Sequence, residues 1–395
     1  MRILAIETSC DETGIAILEQ GPEQTVRILS HALSSQIEIH AQYGGVFPAL
    51  AKRAHAEKIT DLLQKALSDA ELLEAVDEPM KNVAETLPFL DEKETTLKEH
   101  IAPFFTYYKK PDIDYIAVTV GPGLEPALWV GVNTAKALSS IWGIPVMPIN
   151  HMEGHIVTAQ FERVDDQLFT LSPLNTPILS LLVSGGHTEL VLSEQDGLYK
   201  KIGQTRDDAV GEAFDKVARM LGLPYPGGPA VSKLASEYRS TRQDLVENPF
   251  IMPRPMLHGN DFDFSFSGIK TAMLYTIRDL TNQNTRELTT EEKEALACAF
   301  EDAVVEVLVK KTLRALQEYN AQTLIVGGGV AGNTYLREQL GGSTSNLDVI
   351  VLFPEPWLAT DNAIMIGMAG MLQVISGKIK TASSDQLKAD GNLSF

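Results

Sequence analysis

Two histidines four residues apart, in the stretch PINHMEGHIV (148–157), are the residues whose spacing most directly suggests chemistry. His151 and His155 stand at i and i+4, so on a helix both imidazoles can reach one ion. Zinc peptidases with this spacing carry H-E-x-x-H, the general-base glutamate directly following the first histidine. Here the order is H-M-E-G-H. Glu153 lies ~200° around a helix from His151 and faces away from any ion the pair holds. The peptidase reading fails on this point. Asp361, heading the apolar small-residue run in ATDNAIMIGMAG, supplies a third candidate ligand. Two imidazoles and one carboxylate leave coordination positions open, as for a metal that holds substrate. The competing reading is a pair of hydrogen-bonded histidines at a helix start.

Such residues need rigid elements to hold them, and the sequence suggests a duplicated set. RILAIETSCDETGIAIL (2–18) reads as strand, polar turn, strand, with Asp11 and Glu12 in the turn. PILSLLVSGGHTELVLS (177–193) reads the same way, with Gly185 and Gly186 in its turn. Each hairpin precedes a buried strand, a glycine turn and a helix, at 114–138 and 322–340. Two related α/β lobes facing one cleft are expected. Glycine turns let backbone amides approach a phosphate, and a helix start favours negative charge. The first lobe is expected over 1–170, completed by 363–395, and the second over 171–362.

Other segments carry less. The stretch at about 69–112 reads as a helical surface insertion; its first part, 69–99, holds ten acids against three lysines. Residues 288–319 read as one long amphipathic helix, with a capping signature at Thr290, Lys293 and Glu294. The tail from Lys378 reads as polar and loosely packed.

With 395 residues, 44 % of them apolar, the chain has material for two substantial cores. The net charge of −19 argues against a broad basic surface for nucleic acid, although clusters such as AKRAHAEK can still meet a polyanion. Cys10 and Cys298 are too few for a disulfide framework. MRILAIETSCDET has no signal character, and no apolar stretch approaches the ~20 residues of a membrane span. A cytoplasmic location is expected.

Assembled, the motifs resemble the universal tRNA threonylcarbamoyladenosine synthase family, bacterial TsaD type. The resemblance runs in order through ILAIETSCDETGIAI, HAQYGGVFPALAKRAH, GPGLEPALWVGVNTAKAL, NHMEGH, LLVSGGHTELV, DDAVGEAFDKVARMLGLPYPGGP, FSFSGIKTA, VGGGVAGNTYLR and TDNAIMIG. It implies an actin-like (ASKHA) two-lobe α/β fold, shared with sugar kinases. It also implies a reaction, transfer of threonylcarbamoyl from threonylcarbamoyl-AMP to N6 of the adenosine 3′ of the anticodon, in tRNAs reading codons that start with A.

Carried over by motif, His151, His155 and Asp361 become ligands of one divalent ion per subunit, Fe2+ or Zn2+. Val183, Ser184, Gly185, Gly186, His187, Asp215, Gly228 and Asn333 become contacts of the adenylate. The amides of 184–187 would cradle phosphate, Asp215 would accept from ribose, and Asn333 would bond adenine or ribose. Asp11 and Glu12 are candidates for the general base, with turn-stabilising carboxylates as the alternative. The implied partners are tRNA, a TsaB-type paralogue and a TsaE-type ATPase. Two departures stand out: Asn150 occupies a place where the family often has histidine, and the acidic insertion is longer than usual. Competing functions are an actin-like ATPase or kinase, supported by the glycine turns alone, and a non-catalytic paralogue.

Overall fold

The computed structural model describes residues 1–43, 45–91, 94–195, 198–241, 248–283 and 285–395. It divides into two compact units, Met1–Ser172 with Asp361–Phe395, and Pro173–Thr360. Asp361 thereby joins the unit that holds His151 and His155.

The first unit is built on strands β1 (Arg2–Glu7), β2 (Glu12–Gln20), β3 (Thr25–Ser35), β4 (Tyr115–Gly121), β5 (Val146–Asn150), β6 (Phe161–Arg163) and β7 (Leu168–Leu171), in the order β5-β4-β1-β2-β3-β7-β6. β1 pairs antiparallel with β2 and parallel with β4, and β4 pairs parallel with β5. Ile3, Leu4, Ala5 and Ile6 are all fully buried, because helices cover both faces of the sheet. Leu4 and Ile6 join a cluster with Ile59 and Leu63 of helix Pro48–Asp69 and Val130 and Leu138 of helix Glu125–Trp142. Helix Ala363–Ile375 covers the other face, where Gly367 and Gly370 lie close against Leu18 and Ile3. Each large aliphatic side chain so buried contributes about 1.5–3 kcal/mol.

The second unit repeats the plan. Strands β8 (Ile178–Val183), β9 (Thr188–Gln195), β10 (Leu198–Gln204), β11 (Thr323–Gly327) and β12 (Ile350–Leu352) run in the order β10-β9-β8-β11-β12. β8–β9 and β9–β10 are antiparallel, and β8–β11 and β11–β12 parallel. The sequence β3-β2-β1-β4-β5 of the first sheet has the same connectivity and directions. This is the duplicated actin-like α/β architecture. Among the described residues no helix is long and apolar enough to cross a membrane.

Three local expectations change. The long helix spans Thr290–Glu318, and its capping box is Thr289 with Glu292, not Thr290 with Lys293 and Glu294. The Thr289 hydroxyl accepts from the Glu292 amide at 3.2 Å while the Glu292 carboxylate accepts from the Thr289 amide at 2.9 Å, a reciprocity that requires a spacing of three. The acidic insertion is not confined to the surface. Val83 and Leu90, with Leu97, Ile101 and Phe105 on one face of helix Thr95–Tyr107, are buried in the first unit's core, and buried Glu94 pairs with Lys52 at 2.8 Å. Glu92 and Lys93 of that segment lie outside the described residues. Nor is the tail loose: Ala382 bridges to Val146, Leu387 is buried, and the Asp390 amide donates to the Val120 carbonyl at 2.8 Å.

Candidate metal centre and glycine turns

β5 passes directly into the helix His151–Thr158, and Asn150 is its cap, its side-chain oxygen accepting from the amides of Met152 at 2.9 Å and Glu153 at 3.4 Å. Asn362 likewise caps helix Ala363–Ile375 through the Met365 amide at 3.1 Å. The two helices meet at Gly154, where a β-carbon would lie only 3.2 Å from Ile366 Cδ1 and 3.3 Å from Met365 Cγ. Close packing at Gly154 brings Asp361, just before the second cap, against the histidines of the first.

Asp361 Oδ1 lies 3.1 Å from His155 Nε2 and 3.4 Å from His151 Nε2, and the two rings stand nearly perpendicular at 88°. One donor atom from each of the three residues lies within 4.8 Å of the others. Both histidines are buried, whereas the Asp361 side chain keeps 21 % of its surface exposed, so the cluster has one open edge. On its far side His151 Nδ1 faces Ser9 Oγ at 3.1 Å and Glu7 Oε2 at 3.3 Å. Glu7 is fully buried and accepts from the Ser9 amide and the Thr119 hydroxyl, both at 2.5 Å.

The charges show what this pocket lacks. Burial opposes the charged form of His151, yet Asp361 and Glu7 outweigh it and raise its imidazolium to about 10. Burial likewise opposes ionised Asp361, but His151 and His155 hold its carboxyl well below the ordinary range. Burial, with Asp11 and Asp361 nearby, pushes the Glu12 carboxyl up to about 10. The site thus holds a proton on each of two groups to offset its negative charge. A divalent cation on two Nε2 atoms and one carboxylate oxygen answers the same need, and the donor set suits Fe2+ or Zn2+.

Asp11 and Glu12 lie at the β1–β2 turn, with Asp11 buried and Glu12 partly so. That turn is held from three sides. The amides of Gln36 and Leu124 donate to the carbonyls of Asp11 at 2.9 Å and Ser9 at 2.7 Å, and His55 Nε2 lies 3.0 Å from the Cys10 carbonyl. Gly123, at φ +158°, allows the approach, since a β-carbon there would lie 2.6 Å from the Ser9 carbonyl oxygen. Burial lowers His55 to about 4, so it is neutral and donates from Nε2 while Nδ1 accepts from Thr13 at 2.7 Å.

In the second unit, Val183 and Ser184 lead out of β8 into the turn Ser184–His187. The Ser184 amide donates to the His187 carbonyl at 2.8 Å, and the His187 amide to the Ser184 hydroxyl at 3.1 Å. Of the four amides expected to cradle phosphate, two are therefore spent inside the turn. Those of Gly185 and Gly186 carry no hydrogen bond to the described residues, and open space lies where their β-carbons would be. Gly328, at φ +91°, packs against the Val183 carbonyl, where a β-carbon would come within 2.4 Å. Asp215 accepts from the Gly227 amide at 2.7 Å, and the space beside Gly228 is open.

Asn333 is more fully engaged than its sequence context implied. Its side-chain oxygen caps helix Thr334–Thr344 through the Leu336 amide at 2.8 Å, and its nitrogen donates to Ser232 at 2.8 Å and Glu301 at 2.7 Å. Glu301, buried in the long helix, also receives Arg239 at 2.6 Å. Glu7 and Glu301 are both buried, and the one signal that marks them in the sequence is an acid at the end of or within an apolar run, ILAIE and ACAFEDAVV.

Fold and site together define an actin-like α/β protein with a candidate histidine–carboxylate metal centre. A family model described as "TsaD: tRNA N6-adenosine threonylcarbamoyltransferase" matches residues 27–77 and 106–368, passing over the centre of the acidic insertion. A Staphylococcus carnosus (strain TM300) protein named tRNA N6-adenosine threonylcarbamoyltransferase is 41 % identical over 368 residues, covering 93 % of this chain and 90 % of the relative. The protein of the same name from Shouchella clausii (strain KSM-K16) is 42 % identical over 365 residues, covering 92 % and 91 %. Among solved structures, the Acidaminococcus fermentans (R)-2-hydroxyglutaryl-CoA dehydratase component A aligns with a TM-score of 0.46 and 10 % identity, over 95 % of this chain and 99 % of that one. The chain belongs to the TsaD family of tRNA N6-adenosine threonylcarbamoyltransferases and is thus a transferase that acts on tRNA.

Proposed function

We propose that this protein moves the threonylcarbamoyl group of threonylcarbamoyl-AMP to N6 of the adenosine 3′ of the anticodon, in tRNAs whose codons begin with A, with release of AMP. Family membership supports the reaction class, and one observation carries the site: His151, His155 and Asp361 converge on one point in a pocket short of positive charge. They would hold one Fe2+ or Zn2+ ion per subunit. When bound, such an ion supplies Lewis-acid polarisation and orientation of substrate oxygens.

The remaining chemistry falls to the chain's own groups. The N6 amine attacks the carbamoyl carbon, the bond from that carbon to the phosphate oxygen breaks, and the amine loses a proton. Adenine N6 is a weak nucleophile because its lone pair is delocalised, so positioning and the mixed-anhydride leaving group supply much of the rate. The amides of Gly185 and Gly186, rather than all four of 184–187, receive the AMP phosphate. Asp215 fixes the Gly227–Gly228 turn against which the nucleoside lies, and Val183 and His187 shape the phosphate turn. Asn333 acts through the helix it caps as much as through direct contact. Asp11 and Glu12 are the candidate general bases; burial, with Asp11 and Asp361 nearby, raises the Glu12 carboxyl, which favours Asp11 for the role. A TsaB-type paralogue and a TsaE-type ATPase complete the proposed assembly. A cytoplasmic setting belongs to the same proposal, supported by the free thiols of Cys10 and Cys298.

Reconstitution tests this reading. Unmodified tRNA is incubated with threonylcarbamoyl-AMP, the two partner proteins and this chain, and its nucleosides are analysed by mass spectrometry. Threonylcarbamoyladenosine should form only with the chain present, and Asp11→Asn should slow its formation without weakening adenylate binding. No product, beside a working control enzyme, would move the ATPase reading to the front.

A further inference from the structure

Glu7 contributes no ligand to the His/His/Asp cluster, yet it is the most enclosed carboxylate beside it. We propose that Glu7 is the positioning residue of the metal centre, holding His151 with its proton on Nδ1 so that Nε2 is presented to the ion. This rests on the metal reading of the cluster given above.

The geometry is specific. Glu7 ends β1, in the middle of the first unit's sheet, and none of its surface is exposed. Oε1 is taken by the Ser9 amide at 2.5 Å, and Oε2 by the Thr119 hydroxyl of the neighbouring strand β4 at 2.5 Å. Held from both sides, the carboxylate cannot swing, and Oε2 stays 3.3 Å from His151 Nδ1. Ser9 Oγ adds a second acceptor for that nitrogen at 3.1 Å. The opposite nitrogen, Nε2, is the one aimed at Asp361 Oδ1.

An imidazole has two nitrogens, and a proton fixed on one leaves the lone pair of the other for a metal. A buried carboxylate behind a ligating histidine sets the tautomer, locks the ring and raises its basicity, and removing such a partner typically weakens metal affinity by ~10–100-fold. Glu7 is 144 positions from His151 in the chain and meets it only because β1, β4 and β5 are adjacent. His155 has no comparable carboxylate among the described hydrogen bonds and ion pairs other than Asp361 itself. The centre is therefore asymmetric, with His151 the pre-set ligand.

The test measures Zn2+ affinity by chelator competition on the full chain, with thermal stability of the metal-free form recorded in parallel. Glu7→Gln should bind Zn2+ ~10–100-fold more weakly than the parent. Thr119→Val removes one of the two groups that hold the Glu7 carboxylate but leaves the carboxylate itself, and should cost less affinity than Glu7→Gln. Equal affinity in Glu7→Gln and parent would overturn the proposal, as would a loss in Thr119→Val as large as in Glu7→Gln, which marks Glu7 as merely structural. If Glu7→Gln does not fold, nitrogen-15 NMR of the Zn2+-loaded parent decides: a protonated Nδ1 on His151 supports the assignment, and a protonated Nε2 refutes it. A parent that binds no divalent ion would instead refute the metal reading, so the two failures are distinguishable.

Discussion

At the scale of single residues, the first unit carries more negative charge than it can ionise. Glu12 is the clearest case, its carboxyl pushed up to about 10 by burial and by Asp11 and Asp361. An acid whose folded pKa exceeds its unfolded value keeps a proton that the unfolded chain has released. Its stability contribution is complete below the unfolded value of 4.5 and declines as pH rises towards 10. The slope is at most ~1.4 kcal/mol per pH unit. Chelator-treated Glu12→Gln should therefore gain stability over the parent at pH 8 and little at pH 5, measured by urea denaturation at both. Equal differences at the two pH values would show that Glu12 is ionised in the fold. Bound cation should shrink the effect, because it offsets the Asp361 charge that raises Glu12.

At the scale of elements, two asparagine-capped helices and one glycine contact assemble the cluster. Asn150 illustrates how a departure from family pattern acquires a physical reason: its side chain satisfies two amides at the start of the histidine helix. Asn150→Ala should destabilise the chain by about 1 kcal/mol and Asn150→Asp by much less, as read from denaturant midpoints. An unchanged midpoint in Asn150→Ala would mean that the cap contributes nothing. Much of this level was legible. The hairpins and glycine turns announce themselves through short apolar runs broken by Gly and acids, and the i, i+4 histidines through helical spacing. The cap of the long helix is ambiguous by one residue in the sequence, because Thr289 and Thr290 are both good caps, with acids at 291, 292 and 294. The charges of the insertion point to the surface, whereas its buried Leu97, Ile101 and Phe105 recur at helical spacing. The tail's polarity points to loose packing, whereas its anchoring rests on Leu387 and a few backbone bonds that leave no pattern. Glu7 against His151 was beyond reach, because the contact requires knowing which strands are neighbours.

At the scale of the whole molecule, one strand plan is used twice and specialised differently. In the first unit the turn after the opening strand carries acids beside the metal candidates; in the second the equivalent turn carries Gly185 and Gly186. A kinase-like enzyme of this architecture needs the glycine turn but has no use for two buried imidazoles converging on an aspartate. On the proposed function, transfer therefore depends on the first unit's His/His/Asp centre. The most direct test is transfer of the threonylcarbamoyl group, labelled in its threonine, from threonylcarbamoyl-AMP to unmodified tRNA in the reconstituted system. Parent, Asp361→Ala, chelator-stripped parent and stripped parent resupplied with Zn2+ or Fe2+ are compared. The parent and the resupplied protein should label tRNA, and the other two should fall by at least ~100-fold, the loss of several kcal/mol of transition-state stabilisation. Labelling by Asp361→Ala or by the stripped protein at the parental rate would contradict it.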